Sequence, residues 1–104
     1  MAIIVIATAF PVPEHRAEVI AAFEAAAGTV HAEEAGTLRY ALHEGKDGRL
    51  VMIEKYASDE AAAAHRSGAG LAALIKALDG KLTGRMDVQV LTPRPAGSPE
   101  KGEL

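Results

Sequence analysis

The chain has 104 residues, 49% of them hydrophobic, enough for one compact domain and too few for two. A formal net charge of −3, from 11 basic and 14 acidic residues spread along the chain, leaves no cationic patch for phosphates and argues against nucleic acid as a partner. There is no cysteine, which excludes disulfides, thiolate zinc sites and cysteine nucleophiles together.

The opening MAIIVIATAFPVPEH has an apolar run that breaks at Pro11 and Pro13. It is too short to span a bilayer and lacks the positive flank of a signal peptide, so no membrane partner is expected and the cytoplasm is the expected location. Ala2 to Phe10 is continuously apolar and β-branched, a strand buried on both faces and central in its sheet. Pro13 can sit in the first turn of a helix. Val19, Ile20, Phe23, Ala26, Ala27 and Val30 then recur at steps of three and four, predicting one amphipathic helix over roughly Glu14 to Val30. HAEEAGT follows as a polar turn, with Gly36 where the chain needs a positive φ.

Leu38, Tyr40 and Leu42 alternate with Arg39, Ala41 and His43 as a second strand. The Asp47-Gly48 pair predicts a hairpin, and Leu50 to Tyr56 returns as a third strand. Its period places Leu50, Met52, Glu54 and Tyr56 on one face and Val51, Ile53 and Lys55 on the other. Ser58 is a good N-cap and Asp59 and Glu60 suit the helix dipole, so a second helix runs to about His65 or Arg66. SGAG interrupts it, and Leu71, Leu74, Ile75, Leu78 and Leu82 form a further apolar stripe. Met86 to Thr92 is the last strand. From Pro93 onward three prolines and two glycines without a hydrophobic pattern mark a tail, so the domain is expected over 1–93 and a flexible or arm-like tail over 94–104.

The order β-α-β-β-α-β predicts an α+β, ferredoxin-like fold: a four-stranded antiparallel sheet with its helices on one face. Both faces of the strands carry apolar residues, so the bare face needs a cover, and a second copy of the same sheet is the simplest one. A domain this small also has a thin core. A homodimer is therefore expected.

Two residues break the apolar pattern. Glu54 lies among Met52 and Tyr56, where an isolated charge is too costly and demands a hydrogen bond, a cation or a proton. His65, at the end of the helix that folds back over that strand, is the expected partner, with Ala61 and Ala62 on its face leaving room for close approach. The pair reads either as an acid/base unit or as a buried ion pair fixing helix to sheet. Tyr40 can line a cavity. Among the other histidines, His31 is expected to cap the first helix, His43 to be half-exposed or at an interface near the hairpin, and His15 to face solvent. No paired-histidine metal motif, glycine-rich phosphate loop or nucleophile elbow occurs, so no metal or nucleotide is expected.

EEAGTLRYALHE, LVMIEKYASDEAAAAH and the closing MDVQVLTPRP together resemble the antibiotic biosynthesis monooxygenase family, closest to its quinol monooxygenase branch. The likeness runs from Ile3 to Pro93. It implies a homodimeric α+β barrel with a cavity between sheet and helices in each subunit. It also implies oxidation of a small quinol or hydroxyaromatic by molecular oxygen with no flavin, haem or metal, the electron-rich substrate itself being the reductant. In that setting Glu54 or His65 takes the proton, and Tyr40, Tyr56 and Met52 line the pocket. The polyketide-oxidising members carry an asparagine where Met52 stands, a tryptophan where Tyr56 stands and a tyrosine where Ala62 stands. Haem-degrading relatives need a tryptophan, and this chain has none. A small-molecule isomerase and a non-catalytic ligand-binding dimer are the alternatives the family leaves open.

Overall fold

β1 spans Ile3–Ala9, a single 3-10 turn covers Pro13–His15, and α1 follows over Arg16–Glu33. The computed structural model describes all 104 residues. β2 is Thr37–Glu44, β3 Leu50–Tyr56, α2 Asp59–Arg66, α3 Ala69–Leu78 and β4 Asp87–Leu91. After Pro93 the chain makes one further helical turn, α4, Pro99–Gly102. The four strands form one antiparallel sheet in the order β2-β3-β1-β4. This is the α+β, ferredoxin-like arrangement, with β1 and β3 central.

The strict two-residue period of β3 sets which side chains meet the helices. Leu50, Met52, Glu54 and Tyr56 are buried while Val51, Ile53 and Lys55 are half-buried on the reverse. Through the register, Val5, Ala7 and Ala9 of β1 and Tyr40 and Leu42 of β2 stand beside them on the helical face. α1 turns Val19, Phe23, Ala26 and Val30 toward this layer, and α3 adds Leu74 and Leu78. The helices gather over β2 and β3, and α1 packs along α3. β4 is exposed along its whole length.

Ser58 caps α2 as expected, its hydroxyl accepting from the Ala61 N–H at 3.1 Å, and Gly48 takes a φ of +90° in the hairpin.

Four local expectations are corrected. β1 is not buried evenly on both faces: Ile3 and Val5 on the helical face and Ile6 on the reverse are only half-buried, because neither face is completely covered there. α1 continues three residues past Val30, since Ala32 and Glu33 favour helix and no breaker intervenes. Gly36 has no positive φ. A β-carbon there would lie 2.6 Å from the Ala61 side chain, so this glycine is required by the close approach of α2. Finally, Leu38 does not share a face with Tyr40. A bulge between Thr37 and Arg39 inserts one residue, leaving Leu38 43% exposed and turning Thr37, opposite Tyr56, to the helical side.

Candidate active site

β3 and α2 are joined by two residues, so α2 folds directly over the strand that precedes it and brings His65 above Glu54. The two are close without being hydrogen-bonded, His65 Nε2 lying 4.0 Å from Glu54 Oε1. Glu54 instead accepts a hydrogen bond from the Tyr56 hydroxyl. His65 is bonded through its other nitrogen, Nδ1 standing 2.8 Å from Glu34 Oε1. The same Glu34 oxygen accepts from Thr37 Oγ1 at 2.8 Å, an arrangement the bulge in β2 makes possible. Tyr40 and Tyr56 flank the imidazole, their ring centroids 5.3 and 5.2 Å from its own.

The hydrogen-bond pattern gives His65 a direction. A carboxylate oxygen already accepting from Thr37 also accepts from the imidazole, which puts a proton on Nδ1 and leaves Nε2, in the neutral ring, with the lone pair. Every fully buried side-chain polar atom has a hydrogen-bond partner. His65 Nε2, the Tyr40 hydroxyl and the second oxygen of Glu54 have none within the protein, so they face open space.

That space is a cavity of about 260 Å³ between the sheet and the helices. Val5, Ala7, Met52, Val88 and Val90 form its sheet side, and Phe23, Ala62, Leu71 and Leu74 its helical side. Apart from Tyr40 and Tyr56, the polar groups on its wall are Glu54, His65 and, at the exposed rim, Arg66. A cavity of about 150 Å³ accepts benzene, so this one suits a substituted single ring or a compact pair of fused rings.

Burial governs the acids inside. The Glu54 carboxyl is pushed up from its ordinary value, chiefly by burial and further by the Glu34 carboxylate, while the Tyr56 hydrogen bond and the His65 charge pull the other way. Both phenols are raised above the ordinary tyrosine range, again first by burial, with Glu54 the next cause in each case. Tyr40 and Tyr56 therefore stay neutral at physiological pH and act as hydrogen-bond donors.

Of the site residues predicted from sequence, the structure brings Glu54, His65, Tyr40, Tyr56 and Met52 to one cavity. Glu34 was missed. Its only sequence-level signal was an acid at a helix end three residues before Thr37, in a stretch read as a polar turn. His31 does not cap its helix: its Nε2 donates to the Tyr40 carbonyl at 2.9 Å, anchoring α1 to the middle of β2. His43 is exposed and turns back on its own strand, Nδ1 to the Ala41 carbonyl at 3.0 Å.

The architecture and the cavity define a small α+β domain with a mainly apolar hollow beside an imidazole. Residues 2–77 match the family model described as antibiotic biosynthesis monooxygenase. The structure is similar to that of Rv0793 from Mycobacterium tuberculosis, with a TM-score of 0.87 at 30% identity over 94% of this chain and 100% of that one. It is also similar to a candidate antibiotic biosynthesis monooxygenase from Caulobacter crescentus, with a TM-score of 0.82 at 30% identity over 86% and 87% of the two chains. PA3566 from Pseudomonas aeruginosa shares the fold at 24% identity, with a TM-score of 0.80 over 91% and 95%. No curated protein sequence matches the chain. The chain belongs to the antibiotic biosynthesis monooxygenase family. No helix is long and apolar enough to cross a membrane.

Proposed function

We propose that this protein is a cofactor-independent monooxygenase that oxidises a small quinol or hydroxyaromatic with molecular oxygen. The observation that carries the reading is the unbonded Nε2 of His65, aimed into an apolar cavity and backed through Nδ1 by Glu34. A ring bound against Met52, Tyr40 and Tyr56 presents its hydroxyl to that nitrogen. His65 takes the proton, and Glu54, 4.0 Å away, steadies the imidazolium that forms. The phenolate is then electron-rich enough to reduce oxygen. One oxygen atom joins the ring and the other leaves as water, carrying two hydrogens lost by the substrate, so the balance closes without an added reductant. The apolar walls keep bulk water from the reactive intermediate.

The same reading takes the protein as a homodimer. Ile6, Val51 and Ile53 are half-buried on the face of the sheet opposite the helices, and a second sheet packed there removes them from water.

Oxygen uptake with a panel of quinols and naphthols, against anaerobic controls, tests the chemistry. His65→Ala is expected to lower turnover about 10²–10⁴-fold, the usual worth of a positioned base, with ligand affinity changed far less. Turnover that survives this substitution, or no oxygen consumption with any substrate, discards the monooxygenase in favour of an isomerase or a binding protein.

A further inference from the structure

The hydrogen bond between Glu34 and His65 is a partition between two hollows. On the inner side lies the cavity, lined by His65 and Glu54 but not by Glu34. On the outer side lies a second depression of about 270 Å³, lined by Glu34 but by neither of the other two. Its other walls are short, among them Gly36, Thr37, Ala61, Ala64 and Gly68, except for the second carboxylate, Glu33. Glu34 Oε2 lies beside Gly68, where even a methyl group would come within 3.1 Å of it, while Oε1 holds the imidazole. The Glu34 side chain is 13% exposed against 6% for His65. One carboxylate thus touches the buried histidine with one oxygen and borders the outer hollow beside Gly68 with the other.

We propose that Glu34 is a back door for protons, exchanging them between His65 and solvent through the outer hollow while substrate fills the cavity. This rests on the role given to His65 above. When the substrate O–H bond breaks, its proton goes to Nε2, and the Nδ1 proton passes to Glu34 and on to water. His65 then holds the substrate's proton on Nε2 and delivers it to the departing oxygen. Glu34 draws a proton from solvent to restore Nδ1–H. Protons lent and returned are equal, as the overall reaction requires. The other groups facing His65 cannot serve the same end: Glu54, Tyr40 and Tyr56 lie on the substrate's side, and Thr37 donates its proton to Glu34. Glu34 is on this account a positioning residue, acting only through the imidazole.

Glu34→Gln keeps an oxygen that can accept from Nδ1 and Thr37 but cannot carry a proton. With a quinol substrate its kcat is expected to fall about tenfold or more while KM holds, and in Glu34→Ala, whose shortened side chain opens the way from the outer hollow to Nδ1, rising formate, a small acid, restores the rate. Wild-type turnover should be indifferent to formate. A parallel measurement needs no oxygen: p-nitrophenol is mixed with protein beside a pH-indicator dye, and proton release to bulk is timed against phenolate absorbance. The two coincide in the wild type, whereas release lags about tenfold or more in Glu34→Gln, and in Glu34→Ala unless formate is present. Release at the wild-type rate in Glu34→Gln, or a slow rate in Glu34→Ala that formate does not restore, overturns the proposal. If no quinol is oxidised even by the wild type, the monooxygenase reading falls, and proton release with p-nitrophenol still decides the back door.

Discussion

The two halves of the sheet are built from similar residues and finished differently. In the β2–β3 half, helices close over the strands so completely that Leu50 is 0% and Met52 1% exposed, and the acid within this layer is bonded to a tyrosine and faced by a histidine. In the β1–β4 half the helical layer thins. Val88 and Val90, which the register sets beside Ala7 and Val5 on the same face, are 55% and 68% exposed, although they line the cavity. The difference teaches where rigidity and access have been placed. The polar cluster is held by the half whose packing fixes side chains in one geometry, and the cavity is open along the half whose packing is incomplete.

The largest effect should come from breaking the closed half. Leu50→Ala removes a side chain with no exposed surface and is expected to cost about 2–5 kcal/mol, read as a fall in the urea midpoint without a change in slope. A loss below about 1 kcal/mol contradicts the tight packing assigned to this half.

Glu54→Gln tests the same half by charge, with a smaller effect on the order of 1 kcal/mol. Because burial raises the Glu54 carboxyl in the folded protein, the folded state holds its proton more tightly than the unfolded one. Its contribution is full below the ordinary carboxyl value of about 4.5 and is lost as pH rises through the raised folded value. Wild-type stability should therefore fall relative to Glu54→Gln as the pH climbs from 4.5, the Tyr56 hydroxyl still finding an oxygen on the amide. Parallel stability curves for the two proteins would show that Glu54 is not desolvated at all.

The closed half was also the half that could be read from sequence. β3 alternates without interruption, so the inward placement of Glu54 followed from period alone, and a helix starting two residues after a strand has little choice but to return over it, which brought His65 near. The bulge left no such trace, because Leu38, Tyr40 and Leu42 alternate as an unbroken strand does; only pairing with β3 shows that Leu38 is displaced and Thr37 turned inward. Glu34 was hidden for a related reason. It lies 31 residues from His65 in a stretch whose polarity read as a solvated turn, and sequence period carries no information about contacts made across that distance. The exposure of β4 was equally illegible, since its valines alternate as buried ones would.

The exposed valines give the smallest expected effect and the sharpest test of the comparison. Val90→Thr keeps the shape of the side chain and its β-branching, so in the isolated fold it should shift stability by no more than about 0.5 kcal/mol, the ordinary range for a surface position. It also puts a hydroxyl on the cavity wall where a ring would lie, and that hydroxyl must lose water without gaining a partner when an apolar ligand binds. A naphthol probe should therefore bind several-fold more weakly, by about 1 kcal/mol, to a protein whose unfolding curve is unchanged. The reverse outcome is equally informative. If Val90→Thr lowers stability by more than about 1 kcal/mol, and does so only at protein concentrations where a second copy associates, then the open half is closed by the partner subunit, and the valines belong to the interface more than to the ligand.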